Sequence, residues 1–248
     1  MQERRRVPLT FPVANPHACT PGVRISVLGQ VPLFAGLSPD ELSQVDRRCR
    51  AQGFDAGDAV YHAWDAASQL YVVATGTVKA TRLSADGRET LLDLLGPGDF
   101  LGALPALGQE KYSDSAWTLT PACLLGLEAH AYTAIMEQFP SVAMATLKGV
   151  SRRLTESQQA VHLLSGAPLE QRLAATLLLL AAKVGEPWDG ATLLQVPLSR
   201  DDLAAMTGAA TESVSRLLSA WRRQGLIETG RRWIAIRDRA ALADLRDG

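Results

Sequence analysis

Apolar and polar positions change rhythm several times along this chain. Residues 1–30 are Pro-rich and show no period, so an extended arm is expected there. "LSPDELSQVDRRC" (Leu37–Cys49) has helical spacing, with Ser38 as its cap and Glu41 three residues on completing a capping box. Short apolar or alternating runs follow: "DAVY", "QLYVVATGTVKATRL", "RETLLDLL", "SAWTLT" and "ACLLGLE". Turn signals separate them at Ala56-Gly57-Asp58, Thr75-Gly76, Ala85-Asp86-Gly87, Gly96-Pro97-Gly98 and Thr120-Pro121. Many short strands at this spacing predict a sandwich or barrel.

At Pro140 the period lengthens. Leu147, Val150, Leu154, Ser157, Val161 and Leu164 are spaced 3, 4, 3, 4, 3, the a/d pattern of a coiled-coil seam. A helix lying on its own domain is the alternative. The stripe is narrower than an ordinary core face, which favours a dimer seam. "SGAP" (Ser165–Pro168) then breaks the helix. Beyond it the pattern predicts a helix over 169–184, a loop through "GEPWDG", an extended "LLQVPL", two helices and a small hairpin. The expected organisation is α+β: an arm over 1–30, a β domain over 31–139, a long helix over 140–165 and a second domain over 166–248.

Composition narrows the class. Of 248 residues, 47% are hydrophobic and 21% charged, which fits packed globular domains. The net charge of −1 selects no partner, but its distribution does. Between Thr211 and Arg239 stand seven arginines (216, 222, 223, 231, 232, 237 and 239) against Glu212, Glu228 and Asp238. This basic end is the footprint expected of a nucleic-acid-binding domain. Cys19, Cys49 and Cys123 are far apart and lack CxxC spacing, which argues against disulfides or zinc and for a reducing cytoplasm. The N-terminal segment has no apolar run of a signal peptide, and "LAATLLLLAA" (Leu173–Ala182) is too short to span a bilayer.

The stretch "LSRDDLAAMTGAATESVSRLLSAWRRQGLI" has the grammar of a helix–turn–helix. Ser199 caps its first helix and Asp202 completes a capping box, with Leu203, Ala204 and Met206 facing inward. Gly208 stands at the turn, where a backbone without a side chain bends sharply. Val214, Leu217, Leu218 and Trp221 form the buried face of the second helix, which Gly225 ends. Thr211, Glu212, Ser215 and Arg216 face away. "LIETGRRWIAI" then reads as a hairpin across Thr229-Gly230, like a wing. An arginine can donate two hydrogen bonds to a guanine edge, and a glutamate can accept from cytosine. Arg222, Arg223, Arg231 and Arg232, with Ser199, Arg200 and Ser213, are the expected phosphate contacts.

With these residues in view, the chain from about Val31 resembles bacterial transcription regulators of the cyclic-AMP receptor / fumarate–nitrate regulator (Crp/Fnr) family. The resemblance runs through "LFAGLSPDEL", "GDAVYHAWDAASQLYVVATGTVKATRLSADGRETLLDLLGPGDFLG", "SRRL", "EQRLA" and "LSRDDLAAMTGAATESVSRLL". It implies a jelly-roll β effector domain, a dimerisation helix and a winged helix–turn–helix. Glu212, Ser215 and Arg216 match the E-x-x-S-R signature of the fumarate–nitrate regulator branch. Thr211 stands where the cyclic-AMP receptor has a further base-reading arginine. Ala210 departs from the usual Ser or Thr cap. Double-stranded DNA, a second copy of the chain and RNA polymerase are the implied partners, with no membrane.

The effector pocket implied by the resemblance is degenerate. The family's Gly-Glu pair for the ribose falls on Gly102-Ala103, followed by Leu104. Its Arg-Ser pair for the cyclic phosphate falls on Asp114-Ser115, followed by Ala116. Ser157 and Gln158 stand where the long helix meets the nucleotide. Ala103 removes an acceptor and Asp114 reverses the sign of the charge facing an anion, so cyclic AMP is not expected to bind and no cofactor is predicted. An iron–sulfur cluster needs four thiolates, and Cys49 and Cys123 read as core residues. A haem-based gas or redox sensor on the same scaffold is the alternative, with His17, His62, His130 and His162 as the available histidines. An enzyme is the rival class. It finds no nucleophile–base pair, phosphate loop or metal constellation, and Asp201 and Asp202 read as charges at a helix N-terminus.

Overall fold

The computed structural model describes residues 20–83, 89–102, 108–195, 198–230 and 233–247, and for residues 153, 156 and 159–164 the backbone alone. Its contacts divide the chain into two units, one ending at Ala160 and the other starting at Val161.

In the first unit, α1 (Pro21–Gln30) occupies sequence expected to be an extended arm. Pro21 sits in its first turn, where the missing N–H is not needed. Val27 and Leu28 are buried against the core, and that burial overrides the Pro-rich surroundings. Residues 1–19 of the expected arm lie outside the described residues. Arg24 fastens α1 to α2 (Pro39–Asp46) by a two-pronged bond, Nε to Asp46 Oδ1 at 2.7 Å and Nη2 to Oδ2 at 2.8 Å. The Ser38–Glu41 capping box starts α2 as expected, and the Ser38 hydrogen bonds hold the Glu41 carboxyl below its ordinary pKa.

Two four-stranded antiparallel sheets follow. One has the order β1 (Cys49–Phe54), β8 (Ala122–Glu128), β3 (Gln69–Thr75), β6 (Phe100–Gly102). The other has β2 (Ala59–Tyr61), β7 (Ser115–Thr118), β4 (Val78–Leu83), β5 (Glu89–Leu95). The centre of the first sheet is covered on both faces. Leu70, Val72, Leu125 and Leu127 pack towards the core formed with α1, α2 and α3 (Ala129–Gln138), while Tyr71, Val73 and Leu124 pack into the core shared with the second sheet. This is why β3 and β8 read as unbroken apolar runs rather than alternating ones. Cys123 is buried in the helix-side core and Cys49 packs against it. Burial, with Asp46 nearby, pushes the Cys49 thiol up to about 12. β1, β6 and α3 were not expected from the pattern. β1 is an edge strand whose partly exposed face carries Arg50 and Gln52, so it lacks an apolar signature.

α4 (Pro140–Gly166) spans the expected long helix, and the break before α5 (Leu169–Val184) falls at Ala167-Pro168. In the second unit, α5 buries Leu173, Ala174, Leu177, Leu178, Leu180 and Ala181. "GEPWDG" is not a loop. Gly185–Trp188 forms β9, which turns through Asp189 and Gly190, both at positive φ (47° and 72°), into β10 (Ala191–Leu194). The outer hairpin pairs β11 (Ile227–Gly230) with β12 (Trp233–Ile236), and β12 pairs with β10, giving the order β11-β12-β10-β9. Thr229 and Gly230 lie within β11, opposite Ile234 and Trp233. Thr229-Gly230 is therefore not the reversal of this hairpin, and residues 231–232 lie outside the described residues. A closing helix, α8 (Arg239–Asp247), was also unexpected; it buries Leu242 and packs on α5.

Candidate nucleic-acid interface

α6 (Arg200–Thr207) starts from the predicted box: Ser199 N donates to Asp202 Oδ2 at 2.7 Å, and Asp202 N donates to Ser199 Oγ at 3.0 Å. Gly208 ends it in the left-handed conformation (φ 58°, ψ 41°), which other residues adopt at a cost of about 1–2 kcal/mol. Thr207, rather than the half-buried Met206, joins Leu203 and Ala204 on the inner face, returning its hydroxyl proton to Leu203 O at 2.7 Å. α7 (Thr211–Arg223) buries Val214, Leu218 and Trp221, and Leu217 is half-buried. Trp221 Nε1 donates to Glu170 Oε1 on α5 at 3.3 Å.

That seating directs Glu212 and Arg216 outward on one exposed face, four residues apart, with Ser215 half-buried beside them. Arg216 Nη2 donates to Ser213 Oγ at 3.3 Å. Thr211 is engaged locally: its Oγ1 donates to Asp201 Oδ1 at 2.6 Å, tying the start of α7 to the first turn of α6. Arg222 and Arg223 are exposed in the last turn of α7. Arg200 is half-buried, and burial, then the charge of Arg222, lowers its pKa from the ordinary arginine value. Ser199 Oγ serves the cap. Arg231 and Arg232 lie outside the described residues. The structure thus gathers Ser199, Arg200, Thr211, Glu212, Ser213, Ser215, Arg216, Arg222 and Arg223 on α6 and α7.

In the β unit, Gly102 ends β6 at φ 101°, and a Cβ there would meet the Gln69 carbonyl oxygen at 2.7 Å. Ala103 and Leu104 lie outside the described residues. Ser115 Oγ accepts from Ala63 N at 2.9 Å, Ala116 is fully buried, and Asp114 Oδ1 accepts from Tyr61 Oη at 3.5 Å. Sequence reasoning missed what stands beside them. Tyr61 stacks on Tyr112 with centroids 4.0 Å apart and lies 6.0 Å from Tyr71, all three in the core between the sheets. Tyr112 Oη also donates to Gln69 O at 3.1 Å, and burial, then Tyr112, raises the Tyr71 phenol to about 12. Ser157 and Gln158 are exposed on α4. Among the described residues no group of three or more His, Cys, Asp or Glu side chains could hold a metal ion. No described helix is long and apolar enough to cross a membrane.

A β sandwich followed in the chain by a capped helix–turn–helix with a wing defines a DNA-binding transcription regulator. The chain belongs to the Crp/Fnr family. Residues 171–245 match the Crp-like helix-turn-helix domain and residues 51–139 the cyclic nucleotide-binding domain. The chain is 31% identical over 217 residues to the cyclic AMP receptor protein of Thermus thermophilus, covering 88% of this chain and 97% of that one. It is 26% identical to a CRP-like cAMP-activated global transcriptional regulator of Mycobacterium tuberculosis, over the same shares. Among solved structures, the catabolite activator protein of Thermus thermophilus is similar at 31% identity and a TM-score of 0.51, over 88% of this chain and 99% of that one. A second regulator of the family from that organism reaches a TM-score of 0.66 at 28% identity, over 79% and 97%. These relatives are transcription regulators, and the chain is a regulator rather than an enzyme.

Ala210, the residue before α7, makes no side-chain cap. Ala210→Ser supplies an oxygen for the free N–H groups of that first turn and should stabilise the second unit by about 1 kcal/mol. Urea unfolding of the full chain checks this. An unchanged midpoint would mean that the Thr211–Asp201 bond already holds the helix start.

Proposed function

We propose that the protein is a homodimeric, sequence-specific regulator that reads an inverted repeat with TGA-type half-sites and does not require cyclic AMP. The observation that carries it is that Glu212 and Arg216 both stand exposed, one helical turn apart, on α7. Arg216 suits the guanine of a TGA core and Glu212 the cytosine opposite it. Thr211 lacks a guanidinium, so the further guanine read by the cyclic-AMP receptor is dispensable and a TTGA-like half-site is favoured. The partners are double-stranded DNA, a second copy and RNA polymerase. The protein acts in the cytoplasm without a membrane.

The dimer reading is supported by exposed apolar side chains on α4. Leu147 is 61% exposed and Leu154 59%, and Met144 and Val150 continue the stripe. Ser157 lies on the same helix, and the side chains of Val161 and Leu164 fall outside the described residues. Independence from cyclic AMP is supported by Asp114 and by the tyrosines packed beside it, although two relatives carry cyclic AMP in their names. No observation favours haem. His62 is exposed, edge-on to Trp117 at 5.3 Å, and His130 is exposed beside Glu128 at 3.3 Å.

Leu154→Glu on both chains would set like charges against each other in the seam. Sedimentation should then show monomers with weakened operator binding; a persisting micromolar dimer would refute the seam. Calorimetry with millimolar cyclic AMP should show no binding of micromolar strength, and a many-fold rise in operator affinity on adding the nucleotide would overturn the pocket reading.

Selection from random duplexes should enrich an inverted repeat with half-site centres about 34–36 Å apart. Arg216→Ala should cost about 1–3 kcal/mol and relax preference at one guanine, while Arg222→Ala should weaken all sequences alike and lower the salt slope by about 1. A non-palindromic motif, or unaltered preference in Arg216→Ala, would falsify the operator reading.

A further inference from the structure

The second unit holds a cavity of about 240 Å³ between α5, α6 and the wing sheet. Its walls are mostly apolar: Leu177 and Leu180 from α5, Leu203 from α6, and Trp233 and Ile234 from β12. The Trp233 indole lies so close over Gly230 that any Cβ at that position would collide with it, so the chain leaves one face of the cavity to an aromatic ring. Arg200 also lines the cavity. Among the described residues its Nη1 is shut off from water and has no hydrogen-bond acceptor. A guanidinium nitrogen buried without an acceptor is unfavourable, and an anion supplied from outside would relieve it. Ser199 lines it too, with its hydroxyl engaged in the α6 cap. A mostly apolar hollow with a few convergent polar groups is the usual form of a small-molecule site.

We propose that the winged-helix unit carries a ligand site of its own, which takes a small monocarboxylate with an apolar body, held by Arg200, and that filling it withdraws Arg200 from the DNA backbone. The carboxylate matches the planar fork of the guanidinium and can be held by two parallel bonds. At roughly 30 Å³ per water-sized group, the cavity has room for about eight such groups, which sets the body at about six carbons. Leu177, Leu180 and Leu203 receive an alkyl chain, and Trp233 offers a flat face to an aryl group. Arg200 begins α6 and neighbours Arg222, whose charge it feels. One guanidinium cannot serve a DNA phosphate and a buried carboxylate at once, so the two ligands oppose each other. This coupling rests on the DNA-binding reading; the existence of the site does not.

Calorimetry on the full chain without DNA tests the site, using acetate, butyrate, hexanoate, 1-hexanol and inorganic phosphate as probes. Affinity should rise about fourfold per added methylene up to hexanoate. Hexanoate should exceed 1-hexanol and phosphate by at least about tenfold. Arg200→Gln should remove the preference for hexanoate over 1-hexanol while leaving the alcohol unaffected. Ile234→Phe fills the cavity from a half-buried position and should abolish binding of both. Absence of hexanoate binding, equal binding of phosphate, or an Arg200→Gln variant that keeps the preference overturns the site. Operator titrations then test the coupling: saturating hexanoate should weaken DNA binding by the wild-type chain and leave Arg200→Gln unresponsive. Hexanoate binding with unchanged operator affinity overturns the withdrawal of Arg200. If no operator is bound at all, the DNA reading fails while calorimetry still decides the site.

Discussion

The seating of Trp221 governs what the second unit presents. Its indole is buried, and its N–H has a carboxylate acceptor on α5, so the helix cannot roll without stranding a donor in the core. At 3.6 residues per turn, fixing Val214, Leu218 and Trp221 inward leaves Glu212 and Arg216 on the opposite side. Recognition chemistry here follows from a packing constraint, and the helix–turn–helix grammar is that constraint written in sequence.

Local rules made much of this legible. Both capping boxes form as the spacing requires, because a cap is decided within four residues. The left-handed turn at Gly208, the missing cap at Ala210 and the break before α5 were equally local. What escaped depended on distant partners. α1 is held by Arg24–Asp46 and by burial of Leu28, neither visible in a Pro-rich stretch. β9 had a readable mark, since Asp189-Gly190 is a strong hairpin dipeptide, but it carries Pro187, a residue that sheets confine to edge strands such as this one. Arg237 completes that corner, reaching Glu228 and the Asp189 carbonyl and lying over the Trp188 ring, a set no spacing rule would assemble.

The candidate sites divide the same way. Glu212, Arg216 and the arginines expected at phosphates came from helix periodicity and charge. Asp114 was singled out by resemblance, but Tyr61, Tyr71 and Tyr112 converge from separate segments of the chain. Their rings pack in the core between the two sheets, and the Tyr61 phenol donates to the Asp114 carboxylate. In the second unit, the cavity beside Arg200 also needed coordinates, because α5, α6 and β12 meet there only after folding.

The pairing of β1 bears on how the chain is made. β1 ends at Phe54, and among the described residues its only sheet neighbour is β8, beginning at Ala122. A strand emerging early from the ribosome must therefore wait for its partner, and such long-range closure is slow. Unpaired edges invite association between nascent chains. The composition that hid β1 from pattern reading, with Arg50, Gln52 and Gly53 among its six residues, suits that interval: a strand that waits in water is safest when it has little to stick with.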